Sequence, residues 1–102
     1  MLSPASGAIL IVDDERHLRE TLRETFEEAG YQVWEAGDGQ AALEFLQTGD
    51  VLPDVIFLDL KMPRLDGLST LRILHRSAPW RKIPVVVITS YGTRPVIARS
   101  RR

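Results

Sequence analysis

The stretches Ala8-Ile9-Leu10-Ile11-Val12-Asp13-Asp14 and Val55-Ile56-Phe57-Leu58-Asp59 decide the reading of this 102-residue chain. Each is a short apolar run that ends in acid, as a strand buried on both faces of a parallel sheet does. If the two run parallel, their carboxyl ends set Asp13, Asp14 and Asp59 side by side on one rim, where open α/β sheets bind ligands. Three carboxylates about 5 Å apart repel one another by roughly 3 kcal/mol per pair at an effective dielectric near 20, so the pocket calls for a proton or a divalent cation. Mg2+ is the expected ion, because it is hard, prefers oxygen and keeps positions open for phosphate.

Working outward, apolar runs alternate with segments of helical period, the mark of βα units wound into a parallel sheet. The first strand covers Ala8 to Val12. From Glu15 to Ala29, Leu18, Leu22 and Phe26 recur every four residues and predict a helix with one buried stripe, stopped by Gly30. Gln32 to Ala36 is a second strand. Asp38 caps a helix running through Gln47, with Ala42, Leu43 and Leu46 inward and Gly49 at its end. Pro53 leads into the third strand, and the turn-rich Lys61-Met62-Pro63-Arg64-Leu65-Asp66-Gly67 into a helix packed by Leu68, Leu71 and Leu74. Ser77 to Lys82 is the exit from that helix. Pro84 to Ile88 is a fourth strand, apolar throughout as if covered on both faces, ending in Thr89-Ser90.

Composition narrows the classes. With 44% apolar and 26% charged residues the chain reads as one ordinary globular domain, 8–102, behind a flexible lead-in at 1–7. A formal charge of −1 offers no field for nucleic acid or an anionic membrane, and no apolar run approaches the roughly 20 residues of a membrane span. The absence of cysteine rules out disulfides and thiolate chemistry and agrees with a cytoplasmic setting. Neither His17 nor His75 has a second histidine or a cysteine at ligand spacing, and Trp34 and Trp80 read as packing residues.

Taken singly, Asp14-Glu15 is a helix start and Thr89 an ordinary strand terminus. Asp59 is harder to dismiss, because an acid closing a buried strand is costly without a partner. Together, acids after strands one and three and a hydroxyl after strand four fall on one rim.

These residues resemble the receiver domains of two-component response regulators. The resemblance runs from Ile9 to Gly92 and is carried by Ile11-Val12-Asp13-Asp14-Glu15, Gly30-Tyr31-Gln32-Val33, Glu35-Ala36-Gly37-Asp38-Gly39, Pro53 through Pro63, Asp66-Gly67 and Ile83 through Gly92. It implies a flavodoxin-like doubly wound α/β fold with strand order 2-1-3-4-5, of which this chain is expected to carry the four strands 2-1-3-4. It also implies Asp59 as phospho-acceptor from a sensor histidine kinase or phosphotransfer protein, Mg2+ on Asp13, Asp14, Asp59 and the Lys61 backbone carbonyl, and Thr89 hydrogen-bonded to a phosphoryl oxygen. No dinucleotide or Walker A glycine pattern competes. Magnesium phosphatases of the haloacid-dehalogenase type also use a strand-end aspartate, but they carry an acid two residues later, where this chain has Lys61.

The chain departs from that family at its end. The usual fifth strand, its lysine and the fifth helix have no counterpart, since the only lysines are Lys61 and Lys82. The expectation is therefore a truncated receiver whose tail, 93–102, is irregular or a short helix. The tail arginines are a speculative substitute for the missing lysine. An open fourth-strand edge invites a homodimer through that edge or the tail. Three functions stay open: a phospho-accepting signalling module, not a turnover enzyme; a phosphorylation-impaired remnant acting as a dimerising assembly domain; and a magnesium-dependent phosphatase.

Overall fold

The computed structural model describes residues 7–60, 66–91 and 94–100, with side chains described as far as Ile88. The elements in chain order are β1 (Ala8–Val12), α1 (Arg16–Glu28), β2 (Gln32–Ala36), α2 (Gly39–Thr48), β3 (Val55–Asp59), α3 (Gly67–Arg76), a 3-10 turn (Trp80–Lys82), β4 (Val85–Tyr91) and β5 (Arg94–Ser100). They form one sheet in the order β2-β1-β3-β4-β5. The first four strands are parallel, as expected, and the register sets Val12 beside Leu58 and Asp59 beside Ile88.

Local chemistry explains where the helices start and stop. Glu15 caps α1 by accepting the His17 N–H, Asp38 caps α2 through the Ala41 N–H at 2.8 Å, and Asp66 caps α3 through the Ser69 N–H at 2.7 Å. Gly30 and Gly49 follow α1 and α2 at φ 99° and 78°, the left-handed conformation that costs glycine little. Alternation along the strands then splits the core. Leu10, Val12, Ile56, Leu58, Val85 and Val87 face Ala42, Leu43 and Leu46 of α2 and Leu74 of α3. Ile9, Ile11 and Val33 face the other way, against Leu22, Phe26, Tyr31, Val55 and Phe57. Trp34 and Trp80 pack against the first cluster, as expected.

Three expectations need correction. Within the tail, residues 94–100 are neither irregular nor helical but pair antiparallel with β4, from Val85↔Ser100 to Tyr91↔Arg94. The place beside β4 is thus filled in the same chain, and the bare edge inferred from the sequence is closed. The row of free N–H and C=O groups along β4 outweighs the local helical leaning of the tail, and Pro95 is tolerated because β5 is an edge strand. Second, Leu18 and Leu68 lie exposed rather than inside, at 39% and 49% of full accessibility. The buried line of α3 runs through Gly67, Thr70 and Leu74, where the Thr70 hydroxyl satisfies itself on the Asp66 carbonyl at 2.8 Å. Third, β4 is not covered equally on both faces: Val85 and Val87 are buried while Val86 and Ile88 are only half-buried. Both the exposed Leu18 and this half-open face lie on the side where α1 is the sole described helix against the sheet. No described helix is long and apolar enough to cross a membrane.

Candidate functional site at the acidic rim

Asp59 is the last residue of β3 and is half-buried, with Ile88 beside it on β4 and the Leu60 N–H donating to the Ile88 carbonyl. Asp13 follows β1 directly and continues its ladder by one bond, its N–H donating to the Ala36 carbonyl at 3.1 Å. The chain then turns into α1, and the Asp13 carboxylate accepts the Glu15 N–H at 2.8 Å. This turn lets two consecutive acids serve one pocket, which a continuing strand would send to opposite faces. One carboxylate oxygen from each of Asp13, Asp14 and Asp59 lies within 4.8 Å of the others, with Asp13 buried, Asp59 half-buried and Asp14 exposed.

Burial pushes the Asp13 carboxyl up to about 6, against an ordinary 3.8. The Glu15 N–H opposes the rise, while the charges of Asp59 and Asp14 and a hydrogen bond with Asp59 add to it. An acid held this far from its normal range, among two more acids, is an all-oxygen donor set with more negative charge than it can hold comfortably. That chemistry fits a hard divalent cation such as Mg2+, which would be held by Asp13, Asp14 and Asp59.

The remaining expected contributors stand apart from this geometry. Lys61 lies outside the described residues. Thr89 is on β4, where its backbone pairs with Val96, and its side chain lies outside those described. Lys82 closes the 3-10 turn before β4. Six residues at about 3.3 Å each separate it from Ile88, so it sits toward the opposite rim.

Two features of the site were not read from the sequence. Gly67, at the start of α3, abuts the β3 terminus so closely that a Cβ there would overlap the Asp59 carbonyl oxygen and the Leu60 Cα. Behind β1, Arg19 donates from Nη1 to the Asp13 carbonyl at 2.7 Å and from Nε to Glu35 at 3.0 Å. Glu35 also accepts from Arg23 Nη1 at 2.9 Å. The available signal was an arginine pair four residues apart on α1, facing an acid on the neighbouring strand.

The fold is an open, doubly wound α/β sheet with three carboxylates converging beyond its parallel strand ends, the rim where such sheets bind ligands. Residues 9–101 match the response regulator receiver domain. The chain is 39% identical over 94 residues to the transcriptional regulatory protein PdtaR of Mycobacterium tuberculosis, covering 91% of this chain and 43% of that protein. Among solved structures, the receiver domain of a signal transduction histidine kinase from Syntrophus aciditrophicus superposes with a TM-score of 0.79 at 37% identity, covering 85% of this chain and 64% of that one. The response regulator TrrA from Thermotoga maritima, in complex with Mg2+ and BeF, gives 0.76 at 31% identity, covering 85% and 72%. The chain belongs to the receiver domain family of two-component response regulators, and it spans less than half the length of the curated relative named here.

Proposed function

We propose that this domain is a cytoplasmic phospho-acceptor that takes a phosphoryl group onto Asp59 from a phosphohistidine of a sensor kinase or phosphotransfer protein. The observation that carries the reading is the convergence of Asp13, Asp14 and Asp59 within 4.8 Å. In the transfer, an Asp59 carboxylate oxygen attacks phosphorus in line with the departing imidazole nitrogen. The P–O bond forms as the P–N bond breaks and its electron pair goes to the nitrogen; with the other ring nitrogen already carrying a proton, the products are an acyl phosphate and a neutral histidine. Mg2+ held by Asp13, Asp14, Asp59 and the Lys61 carbonyl would offset charge on the equatorial oxygens, with affinity in the millimolar range. Asp13 and Asp14 keep their carboxylates turned to that pocket, and the Thr89 hydroxyl donates to a phosphoryl oxygen. Apart from this self-modification and its slow hydrolysis, the domain turns nothing over. A second copy of the chain is a further partner, reached by exchange of β5 across β4.

Incubation with acetyl phosphate and Mg2+ tests the reading. A single hydroxylamine-labile adduct of about 80 Da is expected, absent in Asp59→Asn and not formed when Mg2+ is chelated before the donor is added. No adduct at any donor concentration would overturn it in favour of an assembly domain, and multiple turnover of varied phosphomonoesters would favour a phosphatase.

A further inference from the structure

The β1–β2 ladder ends at Val12↔Ala36, with one more bond from the Asp13 N–H to Ala36. The Asp13 carbonyl has passed the end of that ladder, and its acceptor is taken up by Arg19. Asp13 is thereby held at its N–H by Ala36, at its carboxylate by the Glu15 N–H and at its carbonyl by a guanidinium at 2.7 Å. The arginine is itself fixed. Its side chain and that of Glu35 are 18% and 20% exposed, so the pair is largely shielded from water, and Nη1 lies over Gly37 at 3.6 Å from where a Cβ would stand.

Charge explains why a cation is tolerated behind a cation site. Arg19 and Arg23 share Glu35, and Arg23 also meets Glu27 at 2.9 Å, so two positive and two negative groups balance. The network therefore supplies geometry without cancelling the field of the three aspartates. Bidentate guanidinium geometry suits this task, since one planar group spans a carboxylate and a carbonyl that an ammonium cannot bridge with fixed angles.

We propose that Arg19 is a positioning residue of the acidic site: locked by Glu35, it holds the Asp13 carbonyl and so fixes the turn on which the Asp13 and Asp14 carboxylates converge. The inference deepens the metal-assisted reading and rests on it for one of its two readouts.

Arg19→Met, Arg19→Lys and Arg23→Met decide it, each read by amide hydrogen exchange of Glu15 without metal and by an NMR titration with Mg2+. Arg19→Met should speed Glu15 exchange and weaken Mg2+ binding about tenfold, the usual cost of losing a group that orients a ligand. Arg23→Met breaks the same Glu35 network but spares the carbonyl bond, and should stay within about twofold of wild type on both readouts. Arg19→Lys should fall between. Unchanged values in Arg19→Met, or an equal loss in Arg23→Met, would overturn the proposal. Should Arg19→Met not fold, Arg19→Lys carries the comparison, and parity with Arg23→Met is the overturning result. A wild type that binds no Mg2+ sinks the metal reading, while the metal-free exchange arm still decides the role of Arg19.

Discussion

Gly67 and Asp59 meet backbone to backbone: a Cβ on Gly67 would stand 2.9 Å from the Asp59 carbonyl carbon and overlap its oxygen. The Gly67 N–H donates to the Leu60 carbonyl at 3.3 Å, so the start of α3 is tied to the strand end that carries the proposed phospho-acceptor. Neither side of this contact is a flexible side chain that can swing away. Gly67→Ala should therefore cost about 1–3 kcal/mol as an overpacked contact and slow labelling of Asp59 by acetyl phosphate. Urea unfolding reads the first effect as a lower midpoint at constant slope. An unchanged midpoint and labelling rate would show that α3 is not seated this tightly.

The Asp13 carboxyl gives a pH signature. Its folded value of about 6 lies above the ordinary 3.8, so between these values the folded state binds more protons than the unfolded chain. Stability from this group is fully present below about pH 4, declines as pH rises to 6 and is gone above it, with an amplitude of about 3 kcal/mol. Asp13→Asn keeps an oxygen for the Glu15 N–H but cannot ionise. The melting temperature of the variant should thus gain on wild type as pH rises from 4 to 7 without metal. Mg2+ binding favours the ionised pocket, so its stabilisation of the wild type should grow over the same range. A constant difference between the two proteins across this range would contradict the buried placement of Asp13.

Much of the site was legible because strand ends obey simple patterns. Uninterrupted apolar runs closing in Asp13 and Asp59 predicted both the parallel pairing and the shared rim, and Asp38 and Gly49 marked α2 by capping chemistry alone. Helix faces were less legible. Counting leucines placed Leu18 and Leu68 inside, whereas the buried line of α3 uses Gly67 and Thr70, residues whose value lies in close approach and a self-satisfied hydroxyl. Arg19 escaped notice because its role depends on a carbonyl and on an acid 16 residues away. The tail was misread for a related reason: local propensity speaks only for the segment, and the unpaired edge of β4 is a tertiary demand.

The two faces of the sheet can be compared by truncation. Leu10 is fully buried at the centre of the α2–α3 face, while Leu68 is 49% exposed. Leu10→Ala should lose about 2–5 kcal/mol, combining lost transfer energy with the cavity left behind. Leu68→Ala should stay within about 0.5 kcal/mol of wild type. Thermal or urea unfolding of both variants checks the pair, and similar losses would mean that Leu68 is as buried as its sequence period suggested.

The β4–β5 hairpin carries the last expectation. Tyr91 pairs with Arg94, so only Gly92 and Thr93 separate the paired strands. Two residues are the shortest common hairpin connection, and removing them leaves β5 unable to fold back on its own β4. The same pairs can still form between chains, because exchange of an identical element reproduces every contact across a two-fold axis. Deleting Gly92 and Thr93 should convert the protein from its 11.5 kDa form to one of twice that mass. Wild type should reach that dimer only by slow exchange at high concentration. Light scattering on a size-exclusion column distinguishes the cases. A folded monomer from the deletion variant, with the melting temperature of wild type, would show that β5 contributes nothing to closing the sheet. A dimer that is dispersed by a further Val86→Lys substitution on β4 would place the exchange at this edge.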